Sequence, residues 1–241
     1  MKLHIGCGRQ RLPAEDGWVN CDLTPGVADA VFDCQEAWPF PESTATLVMA
    51  SHVFEHLERP MDFLAHAWRV LMPMGAVHLR MPYGGHRSAW WDHTHLRPWF
   101  PENFACLQPG YHRYNGNPQH GEAGKQTPYG IQNIAIRISR NTYALFQDRK
   151  LKKILKPLLH NLVDIGEEMF VDLFALKREE DIEQYALTRP EPFIVPITYV
   201  AYKHHTEGHE DVPPGDPVTL MSVLETIGLQ TYHGKVYKVE G

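Results

Sequence analysis

The 241 residues carry a net charge of −6, with 43% hydrophobic and 22% charged residues, which suits one domain with an insertion or a small second lobe. The acidic balance disfavours a broad nucleic-acid surface, and no apolar run reaches the roughly 18 residues that a membrane span needs. Four cysteines without a C-x-x-C pair, and a start without a signal-type segment, predict a reduced cytoplasmic protein.

Short apolar runs that end in turns or acidic residues predict four strands in the first part of the chain. They are the segments 2–5, 18–22, 28–32 and 44–51. Pro60 then stands where a first helical turn is expected, and Phe63, Ala67 and Val70 recur at helical spacing. The turn "VLMPMG" ends that helix, and "AVHLRMP" predicts a fifth strand. This order predicts a parallel sheet with a ligand crevice beyond the carboxyl ends of its strands.

The regular pattern breaks after Pro82. Residues 83–129 are rich in glycine, proline, histidine and tryptophan, and a loop of this length is usually functional. Alternation returns over 131–139 and predicts a strand. From 142 to 185 the chain reads as helical, first basic and then acidic. We interpret both charged stretches as solvated helix faces, with a nucleic-acid or membrane contact through 149–156 as the alternative.

The C-terminal part predicts three further elements. The run "PFIVPITYVAYK" is a strand candidate, and Pro196 within it indicates a sheet edge or a bend. Asp216 and Pro217 form a good helix start, and Gly228 forms a good helix stop. A last strand over 229–239 is expected to follow.

The segment "SHVFEHL", residues 51–57, has two incompatible interpretations. His52, Glu55 and His56 fit the zinc-hydrolase pattern H-x-x-E-H, in which two histidines hold the metal and the glutamate activates a water. A working zinc site needs another protein ligand, and no second motif supplies one. The proline, helix and turn that follow are instead those of a strand-to-helix junction in an α/β fold, and we prefer this interpretation.

Polar groups follow the first three predicted strands. The Gly6-Cys7-Gly8 turn allows a ligand to approach the backbone closely, although Arg11 stands where a dinucleotide motif has its third glycine. Asp22 ends the second strand beside this turn, where a carboxylate can accept both hydroxyls of a ribose, or simply cap its own turn. Asp33, after the third strand, likewise has two possible roles: it can contact an adenine amino group or cap its own turn.

Four segments, taken in order and spacing, resemble the class I S-adenosylmethionine-dependent methyltransferases. They are "LHIGCG", "GWVNCDL", "FDCQEAWPFPESTATLVMASHVFEHL" and "WRVLMPMGAVHLRMPY". The resemblance spans residues 2–83 and is closest to the short type that begins at its first strand. It implies an α/β, Rossmann-like fold: a mostly parallel twisted sheet flanked by helices, with a loop-rich and helical C-terminal elaboration.

The resemblance also implies roles for individual residues. In this family the glycine turn holds the methionine end of the cofactor, and the second-strand acid holds the ribose. The third-strand acid and its neighbour flank the adenine, and the end of the fourth strand lines the methyl-transfer pocket. By matching position, S-adenosyl-L-methionine is expected to be bound by Gly6, Cys7, Gly8, Asp22, Leu23, Asp33, Cys34, Ser51 and His52.

Three positions depart from the family pattern. The family often carries an acid two residues before the first glycine, where this chain has His4. The interval from Gly8 to Asp22 is short and contains Pro13, so we expect the usual first helix to be reduced or absent. A Pro-Met-Gly turn replaces the common Pro-Gly-Gly.

Candidate catalytic residues are His52, at the mouth of the fourth strand, and His93 and His95 in the loop "HRSAWWDHTHLRPWF". A hydroxyl or amine acceptor is helped by a base that titrates near neutral pH, which histidine provides. His93 and His95 alternate across Thr94, so in an extended segment both would face the same side.

Other roles for this loop stay open. The histidines could order the loop by hydrogen bonds, or form a metal site with Asp92 or His86, although we expect no metal. Trp90, Trp91 and Trp99 either shape an acceptor pocket or pack the loop onto the sheet. Arg97 could pair with an anionic substrate.

The sequence therefore predicts a methyltransferase with an unidentified, small-molecule acceptor. Residues 1–82 are expected to form the cofactor-binding half, 83–190 a loop and helical insertion that meets the acceptor or a partner, and 191–241 the strands and helix that complete the domain. Direct methylation of adenine N6 or cytosine N4 is disfavoured, because "RMPYGG" lacks the N/D-P-P-Y motif that seats a flipped, amino-bearing base, and nucleic acid is a possible but not a favoured partner. A non-catalytic binding module of the same fold is the first alternative, and a zinc hydrolase using His52, Glu55 and His56 is the second.

Overall fold

The computed structural model describes residues 1–111, 125–138, 166–188 and 197–201, the last segment by its backbone. The described strands are β1 (Lys2–Ile5), β2 (Trp18–Asp22), β3 (Ala30–Val31), β4 (Ala45–Ser51), β5 (Leu71–Pro82), β6 (Tyr129–Ile138), β7 (Gly166–Ala175) and β8 (Ile197–Ala201). The described α-helices are α1 (Pro60–Val70), α2 (Ser88–Trp91) and α3 (Glu179–Thr188). Short 3₁₀ segments span Ala14–Asp16, Phe54–His56 and Pro101–Leu107.

The strands form one eight-stranded sheet in the order β3-β2-β1-β4-β5-β7-β6-β8. Neighbouring strands are parallel except at β7, which is antiparallel to both β5 and β6. The predicted fold class, a mostly parallel α/β sheet with flanking helices, is confirmed. The chain moves outward from β1 to β3 and then returns to β4 on the other side of β1. This reversal creates a crevice at the carboxyl ends of β1 and β4.

The N-terminal elements match their predictions closely. The predicted strands at 2–5, 18–22 and 44–51 are present, whereas the strand expected at 28–32 is reduced to Ala30–Val31. Helix α1 begins at Pro60 and buries one face, including Phe63 and Ala67, against the sheet. The Pro-Met-Gly turn after it forms a break in the pairing of β4 with β5, where Leu71 and Ala76 pair with Ala45 and Leu47.

The first helix of the family pattern is reduced, as the short interval before Asp22 predicted. Between Gly8 and β2 the only regular element is the 3₁₀ segment Ala14–Asp16, which Gly17 ends at φ 82°. Leu12 packs with Trp18 and Leu47 in a small apolar cluster instead. A short, proline-containing connection thus covers part of this sheet face.

The prediction that 142–185 is helical is wrong for residues 166–175 and correct for residues 179–185. Residues Gly166–Ala175 form β7, which lies between β5 and β6 in the interior of the sheet. Its alternate residues Met169, Val171 and Leu173 are fully buried, and Glu168 and Asp172 occupy positions that point to the other face of the strand. Helix α3 begins only at Glu179.

Other predictions concern the C-terminal part of the chain. The predicted strand at 131–139 is present as β6, and the strand containing Ile197–Ala201 is β8 at the edge of the sheet, as Pro196 predicted. The basic stretch 149–156, the helix after Asp216 and the strand 229–239 lie outside the described residues. Within the described ranges, no helix is both long and apolar enough to cross a membrane.

The core lies between α1, the 3₁₀ segments and one face of the sheet. Aromatic rings link these elements: Trp38 packs on Phe63 at 5.3 Å between ring centroids, and Phe54 packs on Trp99 at 4.6 Å. Because Phe54 immediately precedes Glu55, this packing fixes the turn that follows β4.

Candidate functional site

A cleft of about 330 Å³ lies beyond the carboxyl ends of the parallel strands. Its walls come from the glycine turn after β1, from the ends of β2 and β3, and from the 3₁₀ segment after β4. Six of the nine predicted cofactor-binding residues line it: Gly6, Asp22, Leu23, Asp33, Cys34 and His52. The sequence prediction missed seven further wall residues, which are Ile5, Cys21, Phe32, Gln35, Val53, His56 and Leu57.

Gly6 is required by its backbone conformation and by a close contact. Its φ is +67°, and a Cβ at this position would lie 2.2 Å from Cγ2 of Val53. Gly8 also has a positive φ, +51°, but a Cβ there would meet no atom within 4 Å. The turn after β1 therefore packs closely against the turn after β4 at Gly6 and faces open space at Gly8.

Asp22 is held in place by backbone amides. The Gly8 N–H donates to Oδ2 at 2.8 Å, and the Thr24 N–H donates to Oδ1 at 2.9 Å. Partial burial alone would raise the pKa of Asp22, but the hydrogen bonds from Thr24 and Gly8 outweigh it and lower the pKa. A carboxylate accepts about four hydrogen bonds, so the ionised side chain still has lone pairs for a ligand.

The region beyond β3 combines one carboxylate with apolar groups. Asp33 accepts a hydrogen bond from the Gln35 N–H at 2.9 Å. Burial raises the pKa of the neighbouring Cys34 thiol to about 12, so this side chain is neutral. Leu23 is exposed, and Phe32 packs against Trp38. A planar, partly apolar group with polar edges would be chemically compatible with this part of the cleft.

The other three predicted cofactor-binding residues do not line the cleft. The Cys7 N–H donates to the Cys21 carbonyl at 3.0 Å, and the Gly8 N–H is used by Asp22. Both residues therefore shape the turn rather than face the cleft. Ser51 lies instead beside a small adjoining cavity, which shares Gly6 with the cleft and is also lined by His4 and Arg80.

His4, which stands where the family often has an acid, is buried. Burial is the main influence on its pKa, which is lowered to about 4, so the imidazole is neutral at physiological pH. His4 lines the small cavity beside Ser51. It supplies no negative charge to the cleft.

His52 is clamped between two carboxylates. Its Nδ1 lies 3.2 Å from Oε1 of Glu55, and its Nε2 lies 3.0 Å from Oε1 of Glu168 on β7. Burial alone would lower the pKa of His52, but these hydrogen bonds and charges raise it to about 9. Glu168 in turn contacts Arg80 and Arg137. Only the register of β5, β6 and β7 brings these charged residues together, so no local pattern could have identified them.

The H-x-x-E-H pattern does not form the metal site of its zinc-hydrolase interpretation. Phe54–His56 is a 3₁₀ segment rather than part of a longer helix. Both ring nitrogens of His52 are hydrogen-bonded to carboxylates, so neither is left to bind a metal beside His56. The segment is the strand-to-helix junction that the sequence favoured.

The loop that contains His93 and His95 is a turn, not an extended segment. The Thr94 N–H donates to Oδ1 of Asp92 at 2.9 Å, and the His95 N–H donates to the Asp92 carbonyl at 3.1 Å. The expectation that the two histidines face the same side is therefore wrong: His93 is exposed, whereas the His95 side chain is 8% exposed.

The tryptophans of this loop divide into two groups. Trp99 is buried and packs on Phe54, so it holds the loop on the sheet. Trp90 and Trp91 are exposed, and the Trp90 indole N–H donates to the Gly84 carbonyl at 2.8 Å. Arg97 donates to the Glu58 carbonyl at 3.0 Å and ties the loop to the turn after β4.

Comparison with known families agrees with this geometry. Residues 3–79 match the family model described as "Methyltransferase domain". This segment contains all nine predicted cofactor-binding residues. No curated protein matches the chain.

Solved structures that are similar to this chain include several methyltransferases. A SAM-dependent methyltransferase from Archaeoglobus fulgidus is 16% identical, with 71% of this chain and 84% of that chain covered and a TM-score of 0.47. An S-adenosylmethionine-dependent methyltransferase from Mesorhizobium loti is 12% identical, with 71% and 89% covered and a TM-score of 0.43. Phosphoethanolamine N-methyltransferase 2 from Haemonchus contortus, in complex with S-adenosyl-L-methionine, is 15% identical, with 73% and 50% covered and a TM-score of 0.44.

Proposed function

We propose that this protein is a class I S-adenosylmethionine-dependent methyltransferase, which binds S-adenosylmethionine in the cleft and transfers its methyl group to a small molecule. The match of residues 3–79 to the methyltransferase-domain family model supports this proposal. The observation that carries the proposal is the pairing of the Gly6 turn with the ionised Asp22 carboxylate at the ends of adjacent strands. These two features meet at the reversal of strand order, where α/β sheets bind their ligands.

The residues of the cleft fit an adenosyl group. Asp22 offers acceptors for the two ribose hydroxyls, and its carboxylate is already oriented by the Gly8 and Thr24 amides. Leu23 and the neutral Cys34 offer apolar surface, and Asp33 offers an acceptor for an exocyclic amine. Because Gly6 lies so close to Val53, no side chain fits at position 6, and the backbone of the turn stays open to a ligand.

When bound, S-adenosylmethionine supplies an electrophilic methyl group on a sulfonium. Transfer of that group is an in-line displacement, so alignment of the two reactants and exclusion of water account for most of the catalysis required. This chain contributes a rigid cleft. In it, Asp22 binds the sugar, the packed turns at Gly6 and Val53 limit the mobility of the cleft, and His52 forms part of one wall.

An acceptor that must lose a proton also needs a base. His52, His93 and His95 remain the predicted candidates. Geometry argues against His52, whose two ring nitrogens are already hydrogen-bonded to Glu55 and Glu168. His93 is exposed and has the freedom to meet an acceptor at the loop surface.

A small-molecule acceptor is supported by two features of the sequence. The net charge of −6 disfavours a polyanionic substrate, because nucleic-acid binding surfaces are rich in lysine and arginine. The segment "RMPYGG" lacks the motif that seats a flipped, amino-bearing base.

Two measurements test this function. Isothermal titration calorimetry with S-adenosylmethionine and S-adenosylhomocysteine is expected to give saturable, one-site binding. Incubation with methyl-labelled S-adenosylmethionine and the low-molecular-weight fraction of a cell extract is then expected to give a labelled small molecule, with Asp22→Ala protein as the blank.

The possible results separate the candidate functions. Absence of binding to either compound would contradict the cofactor site and with it the methyltransferase. Binding without label transfer to any fraction would favour a binding module of the same fold, which is the principal alternative.

A further inference from the structure

Three metal-ligating side chains meet at the rim of the cleft. They are Glu55 and His56 of the turn after β4, and His95 of the loop that follows α2. One ligand atom of each lies within 4.8 Å of the others. The two segments are joined by their backbones as well, since the Leu96 N–H donates to the Glu55 carbonyl at 2.9 Å. The cluster is therefore built on two segments whose relative position is fixed.

Two atoms of this cluster are buried without a hydrogen-bond partner in the described part of the chain. Glu55 is 2% exposed, and its Oε2 has no partner. The His95 side chain is 8% exposed, and its Nδ1 has no partner. Buried polar atoms are nearly always satisfied in folded proteins, so two ligand atoms without a protein partner in one cluster indicate a binding site for a cation or a water.

Each histidine of the cluster also has one ring nitrogen, His56 Nδ1 or His95 Nε2, that lies near an oxygen atom of the loop. His56 Nδ1 lies 3.1 Å from both the carbonyl oxygen and Oγ1 of Thr94. The carbonyl oxygen can only accept, so the tautomer with its proton on Nδ1 fits this contact and leaves Nε2 as the ligand nitrogen. His95 Nε2 lies 3.7 Å from Oδ2 of Asp92. Metal-bound histidines usually direct their second nitrogen at a carbonyl or carboxylate, which fixes the tautomer and the ring orientation.

We propose that Glu55, His56 and His95 bind a Zn²⁺ ion, with a fourth position left for water. Two imidazole nitrogens and one carboxylate oxygen form a known ligand set for zinc. Ligand atoms around tetrahedral zinc lie about 3.3 Å apart, so the side chains must draw together by at most about 1.5 Å.

This site differs from both metal sites that the sequence suggested. The H-x-x-E-H pattern pairs His56 with His52, and the loop pattern pairs His95 with His93. In the structure both ring nitrogens of His52 are hydrogen-bonded to carboxylates, and His93 is exposed. One histidine from each motif is combined instead, and the ion would fasten the loop to a turn that lines the cleft.

The proposal is tested by metal binding to the full chain after treatment with a chelator. Titration with Zn²⁺ is expected to give one equivalent per chain and to raise the melting temperature. Glu55→Gln and His95→Gln are expected to weaken zinc binding by about 100-fold or more, since even the loss of an outer-shell partner costs 10–100-fold. Co²⁺ in the same site should show the visible absorption of a tetrahedral complex.

Matched variants serve as controls. The control variants are Glu58→Gln and His93→Gln. Glu58 is exposed and lies three residues from Glu55, and His93 is exposed and lies two residues from His95. Both are expected to retain wild-type zinc affinity. Because Glu55 also contacts His52, His56→Ala provides an independent test, with circular dichroism as the check that the variants are folded.

Absence of zinc uptake would overturn the proposal and favour a buried water between Glu55 and His95. Equal zinc affinity in ligand and control variants would overturn it as well, because the ion would then bind elsewhere. The readout is metal content and melting temperature rather than methyl transfer, so its failure is distinguishable from failure of the proposed function, which is measured by binding of S-adenosylmethionine.

Discussion

At the scale of single residues, Asp22 connects the glycine turn to the cleft. Its carboxylate accepts hydrogen bonds from the Gly8 and Thr24 amides and has further lone pairs with which to bind a sugar. Asp22→Ala is expected to weaken S-adenosylhomocysteine binding by about 1.5–3 kcal/mol, because hydrogen bonds to a charged group are lost. Titration calorimetry measures this effect. Asp16→Ala, an exposed aspartate in the preceding 3₁₀ segment, is the control, and full affinity in Asp22→Ala would mean that the ribose binds elsewhere.

Gly6 and Gly8 provide a comparison within one turn. Both have positive φ, but only at Gly6 would a Cβ collide with Val53. Gly8→Ala is expected to cost about 1–2 kcal/mol of unfolding free energy, from the left-handed backbone alone, and Gly6→Ala is expected to cost more. Urea denaturation measures both.

The double variant Gly6→Ala/Val53→Ala tests the cause of that difference. Removal of the Val53 methyl groups should recover part of the stability that Gly6→Ala loses. Equal destabilisation of the two glycine variants, or no recovery in the double variant, would contradict the contact between the two turns.

At the scale of elements, α1 is joined to the sheet by a buried hydrogen bond. The Tyr129 hydroxyl on β6 donates to the Leu64 carbonyl of α1 at 2.8 Å, and Tyr129 is fully buried. Tyr129→Phe keeps the ring and removes the donor, so the unfolding free energy is expected to fall by about 1 kcal/mol. Chemical denaturation measures the change, and an unchanged midpoint would show that the hydroxyl makes no net contribution.

The elements that could be predicted are those with a local signal. Helix α1 has a proline at its first position and apolar residues at helical spacing. Strand β1 is followed by a glycine, and β2 and β4 end in the polar residues Asp22 and Ser51. β7 was missed because half of its ten residues are good helix formers, namely Glu167, Glu168, Met169, Leu173 and Ala175. Its Glu168 and Asp172 are four residues apart, like one face of a helix, although both lie on a strand.

The same distinction applies to the site. Gly6, Asp22 and Asp33 follow strands directly, so their place in the cleft could be expected from order alone. The contacts of His52 with Glu168, and of His56 with the loop at Thr94, join residues far apart in sequence. Such contacts depend on strand register and on a loop of irregular conformation, for which a single sequence carries no periodic signal.

At the scale of the whole molecule, Glu168 connects four strands. From β7 it accepts hydrogen bonds from His52 after β4 and Arg80 on β5, and it pairs with Arg137 on β6. Burial alone would raise the pKa of Glu168, but the hydrogen bond from His52 and the charges of Arg80 and Arg137 lower it to about 2. The N-terminal cleft is thereby coupled to the antiparallel part of the sheet.

This coupling predicts how stability depends on pH. The folded-state pKa of Glu168 lies below its ordinary value of 4.5, so its contribution is complete above pH 4.5 and is lost as the pH falls through about 2. Glu168→Gln is expected to lower the unfolding free energy at neutral pH by about 3 kcal/mol and to flatten the loss between pH 4.5 and 2. Denaturation midpoints over this pH range measure both, and parallel curves for the two proteins would contradict the network.

The most direct test of the methyltransferase assignment is a crystal structure of the protein grown with S-adenosylhomocysteine. We expect density in the cleft, with the ribose hydroxyls within hydrogen-bond distance of the Asp22 carboxylate and the amino-acid part of the compound at the Gly6 turn. An empty cleft at saturating ligand, or the compound bound away from Asp22, would contradict it.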